Sequence, residues 1–305
     1  MSDLNTSEMF AILIMQGFAG LSLFSVLLLM ALGLAIIFGQ MGVINMAHGE
    51  FMAIGAYTTY LLSTIAERYD FLDEYFLFAL VAAFLVAAAV GWVLEYFIIR
   101  HLYARPLDTL LATWGVSLIL QQIFRQSFGA REVSPALPDW LMGSVQPAEM
   151  IDIPISGLFV LGLALAVTAG VGLLLFRSRW GLQVRATTQN RAIAGAVGID
   201  TAGVDRMTFA FGCGFAGIAG AAFTTIASTG PTSGSLYIVD TFLVVVFGGA
   251  ASIVGTVVSA FSIGQAQSIL EFFMTGSMAK VLTLVFVVGV LMIRPEGLFV
   301  SKVRR

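Results

Sequence analysis

The chain has 305 residues, 59% of them hydrophobic and 11% charged, with a mean hydropathy of +0.96. A soluble domain is nearer half apolar and a quarter charged. An apolar surplus of this size excludes a soluble enzyme, a nucleic-acid-binding domain and a disordered chain, and makes lipid the solvent. The net charge of −3 says less than the places where the charges sit.

The first eight residues carry Asp3 and Glu8 and no Lys or Arg, unlike the basic start of a secretory signal, so the first apolar stretch is expected to be retained. Between Glu8 and Glu50 lie 41 residues without a full charge. One helix of that length is roughly 60 Å long, about twice the hydrocarbon core. A break is therefore predicted at Phe38-Gly39-Gln40-Met41-Gly42, with a second pass over Val43–Leu62 that carries Glu50. Further spans are predicted over Phe76–Ile99, Thr109–Phe124, Ile155–Phe176, Met207–Ile226, Phe242–Leu270 and Val281–Ile293. The 242–270 block holds Gly248-Gly249 and reads as a half-helix plus a full span. The runs are continuously apolar rather than alternating, which excludes an outer-membrane barrel. The expected fold is all-α: a polytopic helical membrane protein, one domain over 1–305, with about 8–9 transmembrane helices and Gly-broken helices near residues 38–50 and 247–252.

Stretches 100–108, 177–206 and 294–305 hold 11 of the 15 basic residues and are assigned to the cytoplasm. The acidic stretches 63–75 and 126–152 go outside. This puts the N-terminus outside and the C-terminus inside, which needs an odd number of crossings, against eight blocks. Either the 242–270 block crosses twice or the N-terminal side is reversed. The Gly-broken elements at 38–55 and 247–264 are expected to correspond, as paired interrupted helices do in transporters built from repeats.

Asn45-Met46-Ala47-His48-Gly49-Glu50 is the densest polar cluster at membrane depth. An intramembrane Glu is costly and marks a functional candidate. It also has a structural reading: Asn45 N-caps the second helix and the dipole favours Glu50 in its first turn. Gln121 and Gln122 fall mid-span, where an amide needs a partner. Tyr57, Thr58, Thr224 and Thr225 either line a polar path or bond back to their own backbone. Glu95 is expected to pair with Arg100 or Arg105, and Asp240 to lie at the outer surface.

Gly212-Cys213-Gly214-Phe215-Ala216-Gly217 spells a dinucleotide fingerprint, but inside an apolar helix it reads as a face for close helix packing. The only histidines are His48 and His101, Cys213 is the single cysteine, and no zinc or nucleophile-elbow motif is present, so an enzyme is not expected. The two lysines, Lys280 and Lys302, sit in no phosphate-binding loop, so any ATP hydrolysis belongs to another subunit. The loop 177–206 carries a short Ala-rich helix over 191–197, ended by Gly198. Such a helix suits docking into a groove on a soluble partner or lying on anionic lipid.

Three stretches then carry a family resemblance. They are Val43-Ile-Asn-Met-Ala-His-Gly-Glu-Phe with Gly55-Ala-Tyr57, the loop Arg185-Ala-Thr through Arg191-Ala-Ile-Ala194 to Gly198-Ile-Asp200, and Arg294-Pro-Glu-Gly-Leu-Phe299. The whole chain resembles the permease subunits of ATP-driven (ABC) importers for branched-chain amino acids and related small polar solutes. Asn45-Met46, Ser228-Thr-Gly-Pro231 and the run Tyr237–Gly249 make it most similar to the urea-transporter branch. It departs from the family pattern at Ala250-Ala251-Ser252, where a third glycine is usual.

The resemblance implies a multi-pass protein of the bacterial cytoplasmic (inner) membrane. It implies a second homologous permease, two ATP-binding subunits and a periplasmic substrate-binding protein received by loops 63–75, 126–152 and 227–240, with the lipid bilayer around it and no nucleic acid, metal or cofactor. It makes 185–200 the coupling helix, with Ala192, Ala194 and Gly198 small enough for close approach and Arg185 and Arg191 as charged anchors. Urea is the expected cargo, met by a sparse polar pathway of Asn45, His48, Glu50, Tyr57, Gln121 and Gln122. A branched-chain amino acid or short amide is the alternative, and a stand-alone channel or secondary transporter the rival from another class.

Overall fold

The long charge-free run folds as two helices, and the break falls later than expected. In the computed structural model, which describes residues 6–103, 105–148, 151–250 and 252–299, α1 (Thr6–Met41) passes Gly39 unbroken and stops where Gly42 turns to φ +66°. Ala251 and the basic residues beyond 299, used above, lie outside the described residues. After the turn, α2 (His48–Tyr69) starts with the His48 Nε2 3.1 Å from the Met30 carbonyl oxygen. Met30 lies eleven residues before the end of α1, about 16 Å back along its axis. The first turn of α2 therefore sits near mid-depth.

The remaining elements are α3 (Leu72–Phe97), α4 (Pro106–Phe128), a hairpin of β1 (Ser144–Ala148) and β2 (Ile151–Pro154), then α5 (Ile155–Arg177), α6 (Arg179–Gln189) and α7 (Arg191–Ala196). They are followed by α8 (Thr201–Phe223), α9 (Ser233–Gly248), α10 (Ile253–Phe273) and α11 (Gly276–Ile293). The hairpin is an addition to the all-helical expectation and lies in the acidic loop before α5.

Among the described residues, seven helices are long and apolar enough to cross a membrane: α1, α3, α4, α5, α8, α10 and α11. The other two passes are α2, diluted by polar residues, and the short α9. Block 242–270 is the end of α9 plus all of α10, joined across Gly249 at φ +95°, a half-helix and a full span as expected. Counting α2 and α9 with the seven gives an odd number among the described residues, which agrees with the loop charges. The ends of α1, α3 and α5, the helices α6 and α7 and the segment after α11 gather at the basic, inner face.

Helix packing in lipid rests on close backbone approach, since lipid is as apolar as the side chains. Gly212 of α8 meets Gly33 and Ile37 of α1, Gly214 meets Phe84, Gly217 meets Ala83 and Gly55, and Gly220 meets Met52. A Cβ at any of these would collide, so the glycine-rich run is a packing face. Contacts also assign the repeat. α3 packs chiefly on α8 as α10 packs on α1, and α2 with α3 matches α9 with α10. α1 runs inward and α8 outward, so α1–α3 and α8–α10 are two halves of inverted direction. Gly33·Gly212 and Gly49·Gly234 are the reciprocal contacts between them. The counterpart of the break at 42–47 is thus the segment 224–232 before α9, not 247–264. Both breaks deliver the start of a helix to the same depth.

Candidate functional site

The starts of α2 and α9 meet at Gly49 and Gly234, each glycine's carbonyl lying where the other's Cβ would be. Around the α2 start, α4 contributes a stripe at helical spacing, Thr113, Ser117 and Gln121. Thr113 Oγ1 accepts from the Met46 N–H at 3.1 Å. Glu50 Oε1 accepts from Ser117 Oγ at 3.0 Å and from Gln121 Nε2 at 2.8 Å, and Gln121 also donates to Ser117 at 3.2 Å. Glu50 is 1% exposed, and its Oε2 has no partner among the described residues. No cation pairs with it among those residues. The carboxylate is held by two donors and by its place in the first turn of α2, where the helix dipole favours negative charge.

Asn45 is not the N-cap, which is Ala47. The Asn45 side-chain oxygen accepts from the Ala47 N–H at 3.1 Å, a local turn that shapes the break. Its Nδ2, like His48 Nδ1 and the Tyr57 hydroxyl, is buried without a partner among the described residues. The Tyr57 ring stacks on Phe128 at 4.2 Å and tilts on Phe124 at 5.0 Å, forming an apolar aromatic wall beside the carboxylate. Of the expected residues, Glu50 and Gln121 share a hydrogen bond, while His48 turns to the Met30 carbonyl of α1 and Asn45 bonds to its own turn; of these and Tyr57, all but Gln121 are buried. Gln122 stands apart: one residue on, it turns to the exposed side of α4. Thr58, Thr224 and Thr225 bond back to the carbonyls of Ile54, Ala221 and Ala222, the structural alternative above. Sequence reasoning missed Ser117 and Thr113. Their signal was the four-residue spacing of Thr113, Ser117 and Gln121.

At the inner face, Asn190 N-caps α7 through the Ile193 N–H at 3.0 Å, and Gly198 at φ +89° ends the turn after it. Ala192 and Gly198 are exposed, but Ala194 is buried against the chain itself. The outward face of α7 is instead apolar, with Ile193 61% and Val197 71% exposed. The two expected anchors are both tied to the chain itself. Arg185 donates to the Leu175 carbonyl, and Arg191 pairs with Asp205 of α8 at 2.5 Å over the Tyr103 ring. Tyr103 donates to Glu95 at 2.6 Å, and Glu95 pairs with Arg206 at 3.1 Å. Burial, then the bond to Glu95, pushes the Tyr103 hydroxyl well above its ordinary pKa, so it stays a donor. Glu95 is therefore bound to α8, which packs along α3, rather than to Arg100 or Arg105. Arg100 lies over Tyr96, and Arg105 meets Asp108 at 3.5 Å. Asp240, expected at the outer surface, is part of a helix and paired. Because α9 starts at Ser233, nine residues before the predicted block, Asp240 lies two turns into the helix and pairs with Lys280 of α11 at 3.2 Å.

Residues 17–293 match the family model described as "Branched-chain amino acid transport system / permease component". The chain is 27% identical over 303 residues to the high-affinity branched-chain amino acid transport system permease protein LivH of Salmonella typhimurium, covering 96% of this chain and 97% of that protein. LivH of Escherichia coli K12 is 28% identical over 300 residues, with the same shares covered. The counterpart BraD of Pseudomonas aeruginosa is 28% identical over 290 residues, covering 92% and 93%. No solved structure matches. These relatives are named for branched-chain amino acids, and the urea expectation finds no support in them.

Proposed function

From the premise that the chain belongs to this family of branched-chain amino acid transport permease components, we propose that its cargo is an aliphatic amino acid, bound at mid-depth between Glu50 and the facing starts of α2 and α9. The chain is a multi-span permease of the cytoplasmic membrane, not an enzyme, and works with ATP-binding subunits and a binding protein. The observation that carries the cargo reading is the buried, unpartnered Glu50 Oε2 beside an aromatic wall. It offers an acceptor to a cargo ammonium group. Helix starts offer backbone N–H groups to a carboxylate. Tyr57, Phe124 and Phe128 offer apolar surface to a branched side chain.

Energy from ATP enters through α7, with Ile193 and Val197 as the contact to the ATP-binding subunit and Arg191 transmitting it to α8. Pairing with a second, homologous permease is part of the same reading. Urea is the second reading, favoured by Asn45-Met46 and Ser228-Thr-Gly-Pro231.

The test is parallel uptake of labelled leucine and labelled urea at micromolar concentration, with the native chain, with Glu50→Gln and without the chain. Leucine uptake that needs the chain and falls with Glu50→Gln is expected. Loss of urea uptake alone keeps the family and overturns the cargo. Uptake indifferent to Glu50→Gln removes Glu50 from the pathway.

A further inference from the structure

We infer that the cleft between α5 and α10 at the inner face binds an anionic phospholipid of the inner leaflet. α5 and α10 each pack on α1 rather than on each other, and α6 closes the gap on the cytoplasmic side. The resulting cavity holds about 550 Å³. That is enough for a headgroup and the start of an acyl chain, and within the usual range of small-molecule sites.

Its lining is of two kinds. One part is apolar, built from Leu175 and Phe176 of α5 and Ile253 and Val254 of α10. Phe176 and Val254 form the rim, 63% and 64% exposed. Bulky apolar rims on a membrane helix face hydrocarbon, so the mouth opens sideways into the bilayer. The other part is polar, with Gln40, Arg185, Thr188 and Ser252.

Arg185 supplies the charge. Among the described residues Arg105, Arg191 and Arg206 each have a carboxylate within ion-pair distance, and Arg185 has none. One of its N–H groups donates to the Leu175 carbonyl and its plane lies 5.5 Å over Phe176, which leaves further donors toward the cavity. Leu175 is two residues from the end of α5, so the guanidinium sits at headgroup depth, where basic pockets between helices take anionic lipid heads. Its planar fork matches phosphate geometry. Gly172 leaves the slot open, since a Cβ there meets nothing within 4 Å. A cation at the interface above an apolar slot in the bilayer fits a phosphate-headed amphiphile, and it lies apart from the Glu50 cluster.

The test uses the complete transporter in nanodiscs of mixed phosphatidylglycerol and phosphatidylethanolamine, extracted and weighed by native mass spectrometry. Retention of one phosphatidylglycerol per chain in preference to phosphatidylethanolamine is expected. Arg185→Gln should lower that occupancy about fivefold, the effect of one cation at an anionic surface. Because Arg185 also ties α6 to α5, Gly172→Leu serves as the second variant. It fills the slot with Arg185 intact and should lower occupancy as well, while Arg100→Gln should not. Equal retention of both lipids, retention unchanged in both cleft variants, or displacement by inorganic phosphate would each overturn the proposal. So would a partner permease found cross-linked across Phe176 and Val254.

Discussion

Replacing Arg191 by Gln removes the ion-pair partner of Asp205, and the two sides of this pair are unequal. The Asp205 side chain is 4% exposed and that of Arg191 51%. Removing one partner of a fully buried pair costs about 3–5 kcal/mol, because a charge is stranded away from water. Here the half-exposed position of Arg191 lets water reach that edge, which reduces the expected loss to about 2 kcal/mol. Asp205→Asn strands the other partner, which already sees solvent, and should cost under about 1 kcal/mol. The double variant has no stranded charge. It should recover about 1 kcal/mol of the Arg191→Gln loss, a coupling well outside the additivity of independent sites. The assay is the midpoint of thermal denaturation in detergent, followed by size-exclusion fluorescence. The expected order places native highest, Asp205→Asn and the double variant close together, and Arg191→Gln lowest. An Asp205→Asn variant as unstable as Arg191→Gln, or a double variant equal to the sum of the singles, would refute the argument that burial decides the cost.

Four further outcomes are expected. Gly55→Ala drives a methyl into the Gly217 backbone and should cost about 1–3 kcal/mol as overpacking. Gly162→Ala, with open space around it, should be neutral or stabilising by up to about 1 kcal/mol; expression and melting midpoint check both. Ser117→Ala removes a donor to a buried carboxylate, a bond worth about 1.5–3 kcal/mol, and should reduce uptake more than Gln122→Leu on the outer side of the same helix. Ile193→Asp with Val197→Asp should leave thermal stability within about 0.5 kcal/mol, as surface changes do, while abolishing stimulation of the ATP-binding subunit by the permease. Unimpaired stimulation would move the docking site off α7.

The kind of spans was legible because charge is expensive in lipid and charge-free runs report helices directly; their number was not, because the 242–270 run joins parts of two helices. Where a helix started was less legible. The first turns of α9, Ser233-Gly234-Ser235, are as polar as a loop by composition, and only the contact of Gly234 with Gly49 explains their placement in the membrane. Glu50 and Gln121 stood out as costly polar groups and do share a hydrogen bond. Gln122 looked equivalent, because adjacent residues on a helix differ by about 100° in direction and a list of residues does not say which one faces inward. Arg185 and Arg191 stood as anchors only through the family resemblance. Acceptors on α5 and α8, ten and fourteen residues away, hold them instead, beyond the three- and four-residue spacings that a helix pattern reports.

The single thiol, Cys213, lies fully buried against Gly91 in the seam between α3 and α8. Thiol reactivity requires access and thiolate character, and this sulfur is 0% exposed. To a thiol reagent added from either compartment the native protein is therefore silent. A cysteine introduced at Val197 on the inner face or Asp70 on the outer face becomes the one accessible thiol on the molecule. The two faces of a nine-pass chain can then be addressed one residue at a time in an otherwise unaltered background.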